Sequence, residues 1–329
     1  MSGDAQLISV VVPAYNAERW IAATLDSVAA QTHRALEVII VDDGSTDGTV
    51  AIAEAFARRD PRFRVVRQAN AGVAAARNHG ASLAQSDLLA FVDADDLWSP
   101  DKTKRQLAAL AAAGPGTGLC YSWYVMIDGA DTVIYREPGR IIEGEVLDTL
   151  FVENFIGNGS AALVRREAFD RVGGFEPALR NASAQGCEDI LFYCRVAEHY
   201  RFAVAPGYHI GYRQLPDNMS SDLTRMLRSW FMVVDEMAAR HPDKRALLDR
   251  GVARYARWVM RRAIHRRRPT MFLRLLALLG RRRPALAVRM AMIEAPRTVI
   301  EPFRAQPAPP AAEPAVADDP LANGRRFNG

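Results

Sequence analysis

The 329-residue chain is 49% hydrophobic and 24% charged, with 22 Gly, 18 Pro and three Cys, an ordinary globular composition that excludes a collagen, wholesale disorder and a disulfide-stapled scaffold. Its length suits one large α/β domain with additions, or two domains. The net charge of +4 averages unlike parts: residues 251–293 carry twelve Arg and no Lys, Asp or Glu, which leaves the rest of the chain at −8.

Residues 7–12 read as a strand, and Ile21, Leu25 and Val28 mark the buried face of a following helix. A strand over 38–41 ends abruptly at Asp42-Asp43-Gly44-Ser45. A helix over 49–58, a strand over 63–66, a helix over 73–83 and a strand over 88–92 follow, the last ending at Asp93-Ala94-Asp95-Asp96. This alternation predicts an α/β fold with a parallel sheet. From Gly118 the pattern is mixed, with strands over 119–127 and 160–164 and a helix over 188–199; residues 221–300 read as helices carrying the arginine run. The predicted organisation is a domain over 1–220, a basic helical region over 221–304 and, because it is rich in Pro and Ala, a disordered tail over 305–329.

Cys120, Cys187 and Cys194 are odd in number and lack a CxxC spacing, which predicts reduced thiols and a cytoplasmic compartment. Residues 1–6 hold no basic residue, and the apolar run after them is shorter than a signal-peptide core. Arginines interrupt the apolar stretch around 273–279, so no membrane span is expected.

Ligands of open α/β sheets bind outside the carboxyl ends of the strands, where two strands here present acids on the same edge. On an extended segment a period of two puts Asp93 and Asp95 on one side, two hard oxygen donors suited to Mg²⁺ or Mn²⁺. The same triplet also reads as an Asx turn capping the helix near Pro100. Asp42 and Asp43 bring the edge to four carboxylates, whose mutual repulsion calls for a cation or for hydrogen-bond donors. Pro13-Ala14-Tyr15-Asn16 closes the first strand with Asn16 as a candidate N-cap; Tyr15 reads either as a base-stacking ring or as part of the core rim. Asn70-Ala71-Gly72 with Arg77-Asn78 reads either as a diphosphate contact or as a solvated helix face.

The series Val10-Val11-Val12-Pro13-Ala14-Tyr15-Asn16, Val41-Asp42-Asp43-Gly44-Ser45-Thr46-Asp47, Asn70-Ala71-Gly72 with Ala76-Arg77-Asn78, Asp93-Ala94-Asp95-Asp96 and Gly186-Cys187-Glu188-Asp189 resembles, in order and spacing, the motifs of family 2 glycosyltransferases over about residues 7–215. The resemblance implies a GT-A, Rossmann-like nucleotide-diphospho-sugar transferase domain with a C-terminal basic helical extension. It implies a nucleoside-diphosphate sugar donor, a UDP-sugar first, and inverting transfer to a saccharide or lipid-linked hydroxyl acceptor in surface-polysaccharide assembly. Carried over by position, Tyr15 stacks on the base with Pro13 and Ala14 beside it, and Asp43 hydrogen-bonds the base. Arg77 lies near the base or diphosphate, Asp93 touches ribose or metal, and Asp95, the second acid of the DXD motif, ligates Mg²⁺ or Mn²⁺. Asp189 is the catalytic base, with Glu188 on the acceptor side. Independently of the resemblance, Glu188 and Asp189 open a helix whose buried face is Ile190, Cys194 and Ala197, which also makes them favourable first-turn acids. Arg213 and Ser220 fall where the family often has a closing loop, and the absence of QxxRW implies single transfers.

Two other activities compete. A dinucleotide-dependent oxidoreductase needs a glycine-rich turn after the first strand, where this chain has Pro13-Ala14-Tyr15-Asn16. A nucleic-acid- or acidic-partner-binding protein would use the arginine run but leaves the acidic clusters without a role. The run itself has three readings. Trp258, Val259, Ile264, Met271, Phe272, Leu275, Leu276 and Leu279 interleave with the cations at helical spacing, as in a basic helix on an anionic membrane surface. The same spacing suits helices packed on the catalytic domain, and the charge suits an acidic partner; no nucleic acid is expected.

Overall fold

The structure, a computed structural model, describes residues 6–215, 221–300 and 325–327. In chain order the first part is β1 (Ile8–Ala14), α1 (Ile21–Ala29), β2 (Leu36–Asp42), α2 (Thr49–Arg59), β3 (Phe63–Arg67), α3 (Val73–Leu83) and β4 (Leu88–Phe91). Then come β5 (Leu97–Trp98), α4 (Lys102–Ala112), β6 (Thr117–Ile127), β7 (Val133–Arg136), α5 (Leu147–Leu150), β8 (Ala162–Arg165), α6 (Arg166–Val172), α7 (Ala178–Asn181), α8 (Glu188–Ala197) and β9 (Arg201–Arg213). The chain continues as α9 (Leu223–Arg240), α10 (Arg245–His265), α11 (Pro269–Arg282), α12 (Pro284–Arg289) and α13 (Ala295–Ile300).

The strands form a single sheet in the order β3-β2-β1-β4-β8-β6-β9-β5, with β7 against β6. Its first four strands are parallel, Val10 of β1 lying between Val38 and Ala90. Every residue of β1 is buried, which is why it reads as a continuous apolar run rather than an alternating one. Beyond β4 the sheet is mixed: β8 is antiparallel to both β4 and β6, while β9 is parallel to β6. No described helix is long and apolar enough to cross a membrane.

The sequence pattern does not reveal β9, because Pro206 and Gly207 interrupt it; the strand survives as an irregular one, with register shifts against β6 at residues 121–124. Asn16 does not cap α1. Its φ is +48°, and its side-chain oxygen accepts the Thr46 N–H at 2.9 Å, tying the turn after β1 to the turn after β2. Of the tail predicted to be disordered, residues 325–327 are ordered: Arg326 bridges Thr132, and Phe327 is buried against Leu97, Val125, Ile127 and Val133. The rest of that tail, and Ser220, lie outside the described residues.

The helices after β9 share the main core. Leu227, Trp230 and Met237 of α9, Val252, Val259 and Met260 of α10, and Leu275 and Leu279 of α11 belong to the same buried cluster as β1. Trp230 stacks on Tyr255 with centroids 4.7 Å apart and planes at 5°, and Asp222 caps α9 by accepting the Thr224 and Arg225 N–H groups at 3.1 Å. Gly251 lies so close to the Phe151 carbonyl oxygen that a Cβ there would collide with it. Gly→Ala inside a helix ordinarily stabilises by about 1 kcal/mol, whereas overpacking costs about 1–3 kcal/mol. Gly251→Ala is therefore expected to lower the thermal unfolding midpoint followed by circular dichroism; an increase would mean that α10 does not pack on the 151 turn.

Candidate active site

A cleft of about 1500 Å³ opens at the carboxyl ends of β1, β2 and β4 and runs to the start of α8 and the flank of α10. Single small-molecule pockets occupy roughly 300–1000 Å³, so there is room for two ligands side by side. Pro13, Ala14, Tyr15, Asp43, Arg77, Asp93, Asp95, Glu188 and Asp189 all line it. Tyr15 is 53% exposed, an aromatic face offered to the cleft rather than packed in a core rim.

Asp43 is held from behind. Its Oδ1 accepts the Ala71 N–H at 2.7 Å and the Gln68 amide at 2.8 Å, and its Oδ2 accepts the Gly72 N–H at 2.8 Å. One lone pair of Oδ2 therefore remains unused among the described residues. Asp42, which the sequence pattern put at the same acidic edge, is absent from the cleft. Its buried carboxylate accepts the Ser45 N–H at 3.2 Å and faces Arg67 at 3.7 Å.

Residues 93–96 are a turn, with Asp96 N–H donating to the Asp93 carbonyl at 3.0 Å, not the extended segment expected; α4 starts later, at Lys102, behind Asp101. The turn sends Asp93 and Asp95 to the cleft and Asp96 inward, where its carboxylate accepts from Ser160 Oγ at 2.6 Å and from the Arg213 N–H at 3.0 Å. Burial, then the negative charge of Asp93, push the Asp95 carboxyl up to about 7. The Asp95 carboxylate accepts no side-chain donor among the described residues. An under-compensated pair of hard oxygens at a cleft wall fits a divalent cation that takes its remaining ligands from water and diphosphate. Among the described residues no cluster of three His, Cys, Asp or Glu exists to hold a metal without such help.

Arg213 departs from its expected place on a closing loop. It is the last residue of β9, is buried, and bonds Asp131 at 2.6 Å, the Asp95 carbonyl at 2.7 Å and the Asp128 carbonyl at 2.8 Å. Its cation is committed to holding the acidic turn, with its guanidinium 4.4 Å above the Trp20 ring.

Arg77 is the centre of the site. Its side chain is 2% exposed, and it bonds Asp93 at 2.5 Å, reaches Glu188 at 3.5 Å and lies 5.1 Å above the Phe175 ring. Gly159 makes the room, because a Cβ there would strike the guanidinium. Glu188 also accepts the Gly186 N–H at 3.0 Å. Asp189 accepts the Ile190 N–H at 2.7 Å and lies 3.4 Å from the Asn154 amide. Burial, then the adjacent Glu188, push the Asp189 carboxyl up to about 7, against the lowering effects of the Ile190 N–H and Arg77.

Several cleft residues carry no signal in the sequence that points to the cleft. Asn154 stands in an irregular stretch, Tyr124 and Tyr212 come from β6 and β9, and Tyr255 and Trp258 come from α10. Arg180 of α7 bonds Asn70 of the 70–72 turn. These residues lie far apart in the chain, and only the sheet order brings them together.

The family model described as glycosyl transferase family 2 matches residues 9–173. The putative teichuronic acid biosynthesis glycosyltransferase TuaG of Bacillus subtilis is 46% identical over 102 residues, 31% of this chain and 40% of that protein. The chain spans 38–58% of the length of the first curated relatives it matches. Among solved structures, S. aureus TarS 1-349 in complex with UDP-GlcNAc superposes with a TM-score of 0.63 at 18% identity over 90% of both chains. A mannosyltransferase from Pyrobaculum calidifontis, in complex with GDP-Man and Mn²⁺, does so with a TM-score of 0.58 at 20% identity, over 92% of this chain and 83% of that one. At these identities the likeness is one of fold, the GT-A fold.

The raised acids make the site electrostatically costly. Between the ordinary carboxyl range and about pH 7 the native state binds more protons than the unfolded one at Asp95 and Asp189, so stability falls as pH rises through that window. Without divalent cations the unfolding midpoint is expected to be lower at pH 8 than at pH 6. Asp95→Asn should raise the pH 8 midpoint, by about 2–4 °C for each kcal/mol relieved, and flatten the slope. An unchanged slope would show that Asp95 is not strained.

Proposed function

The chain belongs to glycosyl transferase family 2, and from that premise we propose that it is an inverting glycosyltransferase that moves a sugar from a nucleoside-diphosphate sugar, a UDP-sugar first, to the hydroxyl of a saccharide or lipid-linked saccharide in surface-polysaccharide assembly. The observation that carries this reading is one cleft with two kinds of acid: Asp93 and Asp95 at the sheet edge and Asp189 at the start of α8, with Arg77 between them. A nucleic-acid-binding role would leave that acidic cleft without a use.

Tyr15 stacks on the base, with Pro13 and Ala14 beneath it, and Asp43 accepts a base N–H through the remaining lone pair of Oδ2. Asp95 and Asp93 would hold Mg²⁺ or Mn²⁺, which would supply charge neutralisation to the departing diphosphate. Arg77 orients Asp93 through their ion pair. Asp189, aimed by the Ile190 N–H and Asn154, takes the acceptor hydroxyl proton while that oxygen bonds to the anomeric carbon. The bond from that carbon to the diphosphate breaks on the opposite face, its electron pair leaves with the nucleotide, and the configuration inverts.

A positioned base contributes about 10²–10⁴-fold. Asp189→Asn is expected to lower nucleoside-diphosphate release in the presence of acceptor by that factor while leaving UDP binding within about threefold by calorimetry. Transfer above a tenth of the normal rate would remove Asp189 from the base role. Because Asp189 must be ionised to act, kcat/KM should rise with pH and level off above about pH 7. Across a panel of donors, chelation should abolish activity and Mn²⁺ restore it; activity indifferent to chelators would refute the metal role of Asp93 and Asp95.

A further inference from the structure

Nine of the twelve arginines of the run fall into two groups. Arg254 pairs with Glu153, Arg257 with Glu294 at 3.2 Å, Arg282 with Asp235 at 2.5 Å and Arg283 with Asp249 at 2.8 Å. These cations fasten α10–α12 to one another and to the body. Arg266, Arg267, Arg268, Arg274 and Arg281 are exposed and pair with no carboxylate among the described residues.

The apolar residues divide the same way. Val259, Leu275 and Leu279, part of the stripe that suggested a membrane face, are core residues, and Met271, Phe272 and Leu276 pack against them. Pointing outward are Leu273 at 63% exposure, Val288 at 63%, Met292 at 73% and Ile293 at 44%. Leu273 adjoins the unpaired Arg274; α11 and α12 lie against each other, with Gly280 close to Ala287. Aliphatic side chains gain by leaving water for hydrocarbon, and unpaired guanidiniums beside them gain from lipid phosphates. A face with five uncompensated positive charges repels a second copy of itself, and large aliphatics have no partner on a nucleic-acid backbone.

We propose that the outward face of α11, α12 and the residues up to Ile293, with Arg266–Arg268 at its edge, docks on an anionic phospholipid bilayer. α10 joins this face to the cleft, contributing Arg254, Tyr255 and Trp258 to the cleft wall. A lipid-linked acceptor would thus be met at the surface that carries it; only that consequence rests on the transferase reading.

The test is co-sedimentation of the full chain with phosphatidylcholine vesicles containing about 30 mol% phosphatidylglycerol, against pure phosphatidylcholine. The protein should bind the anionic vesicles and not the neutral ones. A variant with Arg266→Gln, Arg267→Gln, Arg268→Gln, Arg274→Gln and Arg281→Gln, and a second with Leu273→Ser, Met292→Ser and Ile293→Ser, should each bind at least tenfold more weakly at an unchanged unfolding midpoint. Asp189→Asn should bind vesicles like the parent, which separates this test from that of the activity. The proposal is overturned by absence of binding to anionic vesicles, by wild-type binding in both surface variants, or by duplex RNA or DNA binding that persists in the serine variant while vesicles are ignored.

Discussion

The cleft is organised around one buried cation. The Arg77 guanidinium, taken out of water, must be matched by negative charge, and it finds Asp93 from the turn after β4 and Glu188 from the start of α8. The two acids come from the parallel and the mixed parts of the chain, so this bridge sets how the two walls of the cleft stand relative to each other. Phe175 covers one side of the guanidinium and Gly159 leaves space on another. Removing the arginine would leave Asp93 and Glu188 in the cleft wall with no cation between them, a destabilising concentration of like charge.

The remaining acids are handled unequally. Asp43 and Asp96 act as struts: Asp43 holds the 70–72 turn, and Asp96, although burial and then the charges of Asp95 and Asp93 push its carboxyl well up, pins the acidic turn to Ser160 and the end of β9. Asp95 and Asp189 are raised toward neutrality, first by burial and then by the neighbouring charges of Asp93 and Glu188. Perturbed carboxyls of this kind, in a cleft and beside charged partners, mark sites where the fold gives up stability for chemistry.

Charge also decides how the C-terminal helices sit. Four arginines of the run are spent on carboxylates of α9, α10 and their surroundings, and the apolar residues on the same sides close the core beside β1. Arg266, Arg267, Arg268, Arg274 and Arg281, which no described carboxylate neutralises, are left exposed to solvent.

The parallel half was legible because its signals are local. β1 is buried on both faces and reads as an apolar run; α3 begins and ends at the predicted residues, Val73 and Leu83; the strand ends carry the acids. The order of motifs from Pro13 to Asp189 likewise determined the family and which residues to look for. Tertiary structure alone decided the rest. It took Asp42, Asp96 and Arg213 out of the cleft, because the direction of a side chain after a strand depends on the turn that follows. It showed β9 to be one strand despite Pro206 and Gly207, because pairing with β6 outweighs the local interruption. It brought Asn154, Tyr124 and Trp258 to the site from elements far apart in the chain. Finally, it separated the arginines that hold the helices in place from those that face outward: helical periodicity fixes how many faces a helix has, but only the packed partner determines which face is inside.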